Sequence, residues 1–181
     1  MRKNKINLGV FASSRLGNDN DLLNQINKIG NEINIDKYNI TYGGGTSGIM
    51  SLIPIIVNKR KGNVIGYNWK KFVEDGDEIV GQQIILNTFR DRQYQLLINS
   101  DIFLCLPGGF GSLSELIDVL MNNASKFWEK KKIIVFNYKG FYNPIKEMME
   151  IQNKFGFLHF PKEAAVIFLN TFEEIIEFLN E

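Results

Sequence analysis

Three loops rich in small residues each follow a short apolar run, and their composition suits the binding of an anion. They are residues 13–17 (SSRLG), 43–48 (GGGTSG) and 107–112 (PGGFGS). Glycine lets a ligand approach the backbone closely, and the N-terminus of a following helix offers free N–H groups to a negative charge. Each loop alone is equally well explained as a tight turn. Together, the three favour one shared crevice that binds a phosphate-bearing ligand.

The sequence contains few of the side chains that form metal sites or disulfides. One cysteine, Cys105, and one histidine, His159, cannot form an intrachain disulfide or a His/Cys zinc cluster. We expect Cys105 to be an inert core thiol and His159 to be a satisfied or surface residue. The 21 Lys and Arg against 20 Asp and Glu leave a net charge of +1, which argues against a nucleic-acid partner. A site in this chain must therefore use carboxylates, Arg, Lys, hydroxyls and backbone amides, without a metal.

Short apolar runs alternate with segments of helical periodicity along the chain. The runs predict strands at 6–12, 39–42, 63–66, 83–86, 102–106, 133–137 and 165–169. Between them, apolar residues recur at helical spacing, and Thr171 with Glu174 predicts a capping box for the last helix. Because the strands are apolar throughout, we expect a Rossmann-like, doubly wound parallel sheet of the α/β class. With 181 residues and no linker or repeat, residues 1–181 are expected to form a single nucleotide-binding α/β domain.

The beginning of the chain does not have the pattern of a secretory signal peptide. Three of its first five residues are Lys or Arg, but Gly9 and Ser13 follow too early for the apolar core of such a signal. No run approaches the roughly 18–20 uninterrupted apolar residues of a membrane span. We therefore expect a cytoplasmic protein with no membrane partner.

The sequence does not complete either of two common nucleotide-binding motifs. Gly43, Gly45 and Gly48 match G-x-G-x-x-G, but the dinucleotide fingerprint also needs an acidic residue about 20 positions further on. Here the next predicted strand is followed by no carboxylate until Glu74. The Gly-Lys-Ser/Thr end of a Walker A motif is absent. We expect no cofactor.

Two other motifs resemble those of the LOG ("Lonely guy") family. Residues 107–115 (PGGFGSLSE) are similar to its P-G-G-x-G-T-x-x-E signature, and residues 42–50 (YGGGTSGIM) to its Y-G-G-G-x-x-G-L-M segment. The resemblance runs in order from about Leu8 to Phe157. It implies a hydrolase that cleaves the N-glycosidic bond of a nucleoside 5′-monophosphate, such as a cytokinin riboside 5′-monophosphate or AMP. The products would be the free base and ribose 5-phosphate.

The resemblance places a catalytic carboxylate on Glu115. Hydrolysis of an N-glycosidic bond passes through an oxocarbenium-like transition state, which a fixed carboxylate can stabilise while it orients a water molecule or the ribose hydroxyls. The alternative is that Glu115 has a structural role at the start of a helix. Ser112 and Glu115 also have the spacing of a capping box, in which Glu115 would satisfy the backbone N–H of Ser112.

The family's catalytic arginine falls on Arg92, in a segment similar to M-x-E-R-K-x-x-M. A guanidinium can brace a carboxylate and hydrogen-bond to the base or the ribose. Arg90 is a close competitor, and a surface arginine paired with Asp91 or Glu147 is the other interpretation of Arg92. Gln93 replaces the family's lysine, so the chain departs from the family pattern at this position.

The resemblance also assigns the substrate's phosphate to the loops. The amides of residues 108–112 should hold it, with the Ser112 hydroxyl in place of the family's threonine. Gly45 and Thr46 would complete the cradle, and Arg15 would neutralise charge. The predicted phosphate- and substrate-binding residues are Ser14, Arg15, Gly45, Thr46, Gly108, Gly109, Gly111 and Ser112.

Two functions remain open from the sequence. The first is a metal-independent phosphoribohydrolase with a nucleoside monophosphate as substrate. The second is a nucleotide-binding protein with little or no hydrolase activity, which the replacement at Gln93 supports. Lysine decarboxylation is disfavoured, because pyridoxal chemistry needs a Schiff-base lysine with an acidic partner for the ring nitrogen. The family implies a homodimer, and the apolar residues of segment 89–97 suit burial against a partner.

Overall fold

The computed structural model describes residues 5–75, 79–125, 128–158 and 165–181. Within these ranges, seven strands alternate with helices along the chain. The strands are β1 (Ile6–Phe11), β2 (Tyr38–Tyr42), β3 (Val64–Trp69), β4 (Gln82–Leu86), β5 (Ile102–Cys105), β6 (Lys132–Phe136) and β7 (Val166–Leu169). The helices are α1 (Asn20–Glu32), α2 (Leu52–Lys59), α3 (Lys70–Glu74), α4 (Phe89–Ile98), α5 (Phe110–Ser125), α6 (Asn143–Lys154) and α7 (Phe172–Asn180).

All seven strands pair in parallel in the order β4-β3-β2-β1-β5-β6-β7. The chain builds one half of the sheet outward from β1 to β4 and then returns to the other side of β1 with β5. In sheets of this type, ligands collect beyond the carboxyl ends of the strands where the order reverses. That point lies between β1 and β5 and fixes where a site should be sought.

Both faces of the sheet are covered by helices. On one face, Leu8 and Val10 of β1 pack with α1, α2 and α7. On the other, Phe11 of β1 and Cys105 of β5 pack with α4, α5 and α6. Because successive side chains of a strand point to opposite faces, both sets must be apolar. This arrangement confirms the predicted doubly wound α/β class.

Each predicted strand is present, and its ends lie within three residues of the expected ones. The capping box at Thr171 is also confirmed: its hydroxyl accepts from the backbone N–H of Glu174, whose carboxylate accepts from the backbone of Thr171 in return. The short helix α3 was not predicted, because five residues are too few to show a helical period.

One expectation about a partner surface is wrong in part. Leu96 and Leu97 of α4 are 1% and 6% exposed, and they pack in the core of their own chain. They are therefore not free for a partner, although Phe89 and Ile98 at the ends of the helix remain exposed.

The described part of the chain contains no helix with the length and apolar character needed to cross a bilayer.

Candidate active site

The three glycine- and serine-rich loops meet above neighbouring strands. They follow β2, β1 and β5, which are adjacent in the sheet. The second loop packs directly on the first. Gly48 has a φ of +64°, and a Cβ there would clash with the backbone of Ser14 and Arg15. The backbone N–H of Met50 then donates to the carbonyl oxygen of Ser13 at 2.9 Å. Glycine at position 48 thus allows the two loops to form one wall.

Arg92 enters the site from α4 and is only 6% exposed. Its Nε donates to the carbonyl oxygen of Gly43 at 2.9 Å. A Cβ on Gly43 would collide with Nη2 of Arg92, so the absence of a side chain there makes room for the guanidinium. The guanidinium also lies over the ring of Phe89, with 5.2 Å between its central carbon and the ring centroid. Together these contacts fix the direction of a buried cation.

Glu115 comes from the second turn of α5 and is 8% exposed. Its Oε1 lies 3.7 Å from Nη1 of Arg92. Burial raises the pKa of the Glu115 carboxyl to about 7; the Asp118 carboxylate acts in the same direction and the Arg92 guanidinium against it. Burial also lowers the pKa of Arg92, opposed by Glu115. A carboxyl with a raised pKa beside a fixed cation in a cleft is a common arrangement at catalytic sites.

The two candidate arginines lie in different surroundings. Arg90 is exposed and is not among the residues that line the cavity beside Glu115. Its charge instead acts on Asp118, where it lowers the pKa against the effect of burial. Arg92 is buried and paired with Glu115, so its interpretation as a surface arginine paired with Asp91 or Glu147 is wrong.

The capping-box interpretation of Ser112 and Glu115 is also wrong. Helix α5 begins at Phe110, so Ser112 lies within the first turn and cannot be the residue that precedes the helix. The Ser112 hydroxyl is buried and has no hydrogen-bond partner within the described residues. Glu115 is thus free of a capping role.

The N-terminal end of α5 presents several polar groups to the cavity. The first N–H groups of a helix lack acceptors within it, and the helix dipole favours an anion there. Gly109 and Gly111 are exposed, with open space where a side chain would be. The Ser112 hydroxyl, which has no hydrogen-bond partner in the described ranges, adds a donor for a ligand. The end of α5 therefore has the features of a phosphate site.

These groups line one cavity of about 430 Å³. Seven of the ten predicted site residues line it: Ser14, Arg15, Arg92, Gly109, Gly111, Ser112 and Glu115. An eighth, Gly108, lines an adjoining cavity instead. Gly45 and Thr46 line neither cavity, so their part in phosphate binding stays a prediction.

The cavity also contains residues that the sequence did not single out for binding. Phe72 of α3 and Phe89 of α4 lie at its edge, 36% and 41% exposed. Met50 lines the same cavity, with its Sδ 4.0 Å from Nη2 of Arg92. Gln93, noted only as a departure from the family pattern, lies beside them. Their positions depend on how α3 and α4 pack, which no local motif reveals.

The sequence contains two further reactive side chains, Cys105 and His159. Cys105 is fully buried, and burial raises the pKa of its thiol to about 12, as expected of an inert core cysteine. His159 lies outside the described residues. Within the described ranges, no cluster of three His, Cys, Asp or Glu side chains is placed to hold a metal ion.

Sequence comparisons identify similar proteins. Residues 46–179 match a family model described as "Possible lysine decarboxylase". The chain is 29% identical over 174 residues to the probable cytokinin riboside 5′-monophosphate phosphoribohydrolase LOGL2 of Oryza sativa subsp. japonica, covering 95% of this chain and 71% of that protein. It is 28% identical over 184 residues to the cytokinin riboside 5′-monophosphate phosphoribohydrolase LOG4 of Arabidopsis thaliana, covering 100% of this chain and 85% of the relative.

Solved structures share the fold at lower sequence identity. The molybdenum cofactor carrier protein of Chlamydomonas reinhardtii aligns with a TM-score of 0.70 and 16% identity, over 98% of this chain and 97% of its own. The molybdenum cofactor binding protein of Rippkaea orientalis aligns with a TM-score of 0.70 and 20% identity, over 98% and 96%. At these identities the match describes architecture alone.

Proposed function

The chain belongs to the LOG family, whose model carries the description "Possible lysine decarboxylase", and we propose that it hydrolyses the N-glycosidic bond of a nucleoside 5′-monophosphate. The observation that carries this proposal is the buried ion pair of Arg92 and Glu115, 3.7 Å apart, in a cavity beside the N-terminal end of α5. The site thus combines a carboxylate, a cation and an anion-binding helix end. Its relatives bear the name of this activity.

The proposed chemistry uses the ionised form of Glu115. As the bond between C1′ and the base nitrogen breaks, positive charge develops on C1′ and the ring oxygen, and a nearby carboxylate stabilises it. Water then supplies a hydroxyl group to C1′ and a proton to the departing base, which yields the free base and ribose 5-phosphate. Arg92 keeps the carboxylate in place and, through its pairing, favours the charged form.

The substrate is oriented by its phosphate in this proposal. The phosphate accepts hydrogen bonds from the amides at the start of α5 and from the Ser112 hydroxyl, which has no partner in the described structure. Arg15 lies on the opposite loop and supplies a positive charge. With the phosphate there, the ribose lies towards Glu115, which is one helical turn further along α5 than Ser112.

The base is placed against the aromatic side of the cavity. Phe72 and Phe89 offer ring surfaces on which a base can stack, and Met50 adds a polarisable contact. Gln93 is the polar side chain of this region that can hydrogen-bond to the base edge. A cytokinin base and adenine both fit this description.

Lysine decarboxylation does not fit these residues. Pyridoxal chemistry requires a lysine that forms a Schiff base with the cofactor. Among the described residues, no lysine lines the cavity that holds Glu115. Lys139 lines the adjoining cavity, where its ammonium group is paired with Asp19 at 2.9 Å.

Incubation of the protein with AMP and with isopentenyl-AMP, followed by chromatography, tests the proposal. Release of free base with an equal amount of ribose 5-phosphate is the expected result. A second candidate, a nucleotide-binding protein with little hydrolase activity, is favoured by Gln93 in place of the family's lysine. Measurable nucleotide binding without base release would establish that candidate and reject the hydrolase.

A homodimer is part of the same proposal. Exposed apolar side chains on α5 and α6 offer surface that a second copy of the chain could cover: Ile117, Met121, Met148 and Ile151 are each about half exposed. Sedimentation equilibrium should therefore give a mass near twice the 20.8 kDa of the chain. A concentration-independent monomer would reject the dimer without affecting the hydrolase proposal.

A further inference from the structure

A second cavity adjoins the candidate active site. Its volume is about 450 Å³, close to the 430 Å³ of the first, and both lie within the range of roughly 300–1,000 Å³ that small-molecule sites occupy. Ser13 and Arg15 line both cavities. The two spaces are therefore neighbouring lobes with a common wall.

The loop at the start of α5 lies on the boundary between the lobes. Gly108 lines the second cavity and Gly109 the first. An anion held by this loop can consequently carry substituents in both directions. Arg15 faces both lobes and forms no ion pair within the described residues. Its guanidinium is thus available to an anion that crosses the boundary.

The second lobe has the surface of a site for a ring system. Leu16, Leu22, Ile49 and Phe141 give it apolar walls, and Asn18 stands at its polar side. Binding pockets for small molecules combine such apolar walls with a few polar groups that fix orientation. A nucleoside, with its flat base and hydroxylated ribose, matches this combination.

The charged residues of the lobe argue against a further phosphate deep inside it. The Asp19 carboxylate is held by the Lys139 ammonium at 2.9 Å and by the hydroxyl of Tyr138 at 3.2 Å. These two opposite charges offset each other, so among the described residues the unpaired positive charge of the lobe's lining is that of Arg15, at the boundary with the first cavity. Lys139 is held in this pair although its backbone has a φ of +48°, which is unfavourable for a residue with a side chain. The occupant of the lobe should therefore be uncharged.

We propose that the second lobe binds the second nucleoside of a dinucleotide whose two 5′ oxygens are joined by a diphosphate. One nucleoside lies beside Glu115, the diphosphate crosses at Gly108, Gly109 and Arg15, and the other nucleoside lies against Leu22 and Phe141. This inference rests on the phosphate position of the proposed function and extends the substrate class from mononucleotides to dinucleotides.

Titration calorimetry with three probes tests the proposal. The full chain carries Glu115→Gln, so that no ligand is hydrolysed during the titration. The probes are AMP, ADP and diadenosine diphosphate, in which a diphosphate joins two adenosines. We expect diadenosine diphosphate to bind about tenfold or more tightly than AMP, whereas ADP should gain less than about threefold. ADP separates the effect of the second phosphate from that of the second nucleoside.

A matched pair of tryptophan variants locates the second nucleoside. Asn18→Trp fills the second lobe from an exposed loop position, and Asn24→Trp places the same side chain on the exposed side of α1, outside both cavities. Asn18→Trp should abolish the advantage of the dinucleotide and leave AMP affinity within about twofold; Asn24→Trp should retain the advantage.

Each outcome decides the matter. Equal affinity for AMP and diadenosine diphosphate, an advantage fully reproduced by ADP, or an advantage that survives Asn18→Trp would overturn the second-lobe proposal while the hydrolase proposal stands. Failure of all three probes to bind would overturn the second-lobe proposal, whereas the hydrolase proposal is decided separately by base release from AMP and isopentenyl-AMP.

Discussion

The guanidinium of Arg92 and the carboxylate of Glu115 lie 3.7 Å apart although they come from different helices, α4 and α5. Both helices pack on the same face of the sheet. Their side chains are 7% and 10% exposed, so solvent screens the pair weakly. The distance is longer than a direct charge-assisted hydrogen bond of about 2.7–2.9 Å. Glu115 is therefore braced by Arg92 and still has oxygens available to a ligand.

The pH dependence of activity should reflect Glu115. Burial raises its pKa to about 7, so the carboxyl is mostly protonated below this pH and mostly ionised above it. Because the ionised form stabilises the transition state, kcat/KM should rise with pH through a midpoint near 7 in the free enzyme. Initial rates of base release between pH 5 and 9 measure this. A decrease in kcat/KM through the same range would show that the protonated carboxyl is the active form.

Substituting Arg92 and Arg90 one at a time should distinguish their contributions to turnover. Arg92→Ala deletes the cation that holds Glu115, and turnover should fall by about 100-fold or more. Stability should also fall, by roughly 2–4 kcal/mol, because a buried carboxyl loses its partner. Arg92→Lys retains the charge without the planar fork and provides a folded comparison.

Arg90→Ala is the matched control for this change, since Arg90 is exposed on the same helix. Its turnover should stay within about twofold of the wild type, as for most surface substitutions. Full activity in Arg92→Ala together with loss in Arg90→Ala would transfer the role to Arg90.

The ion pair of Arg92 and Glu115 should depend on the absence of a side chain at Gly43. Gly43→Ala would place a methyl group against Nη2 of Arg92 and displace the guanidinium. We expect a loss of about tenfold or more in kcat. In an Arg92→Ala background the same change should have little further effect, because the group it displaces is gone. Additive losses in the double variant would show that Gly43 acts independently of Arg92.

The Ser112 hydroxyl should serve the ligand and not the fold. Because the hydroxyl is buried without a partner within the described residues, Ser112→Ala should leave the free energy of unfolding unchanged or raise it. KM should increase about 10- to 100-fold, as expected when a hydrogen bond of roughly 1.5–3 kcal/mol to a charged group is lost. Ser114→Ala, on the exposed side of the same helix, is the control. An unchanged KM in Ser112→Ala would remove the hydroxyl from the phosphate site.

The fold was largely predictable from the sequence because its signals are local. Strand β1 is an apolar run because it is buried on both faces of the sheet. In α1, Leu22, Ile26 and Ile29 recur at helical spacing because only one face of the helix is buried. The loops after β1, β2 and β5 were also predictable, since small residues after apolar runs are visible in the chain. Their convergence followed from the parallel topology.

The site was only partly predictable. Glu115 and Arg92 could be named from the family resemblance, but their contact depends on the packing of α4 beside α5. The predicted capping box at Ser112 is wrong because the helix begins at Phe110, two residues before Ser112, whereas the same pattern at Thr171 is confirmed. The position of Phe72 at the cavity edge depends on a five-residue helix that has no periodic signal.

The proposal that Glu115 carries the hydrolysis is tested most directly by comparing base release from AMP in the wild type and in Glu115→Gln. Because burial raises the pKa of the Glu115 carboxyl to about 7, its neutral form is accessible near neutral pH, and the fold should tolerate the neutral amide of Gln. Chromatography should show base release in the wild type and a rate at least about 100-fold lower in Glu115→Gln, with AMP binding retained in both. Equal rates of base release by the two proteins would contradict the account.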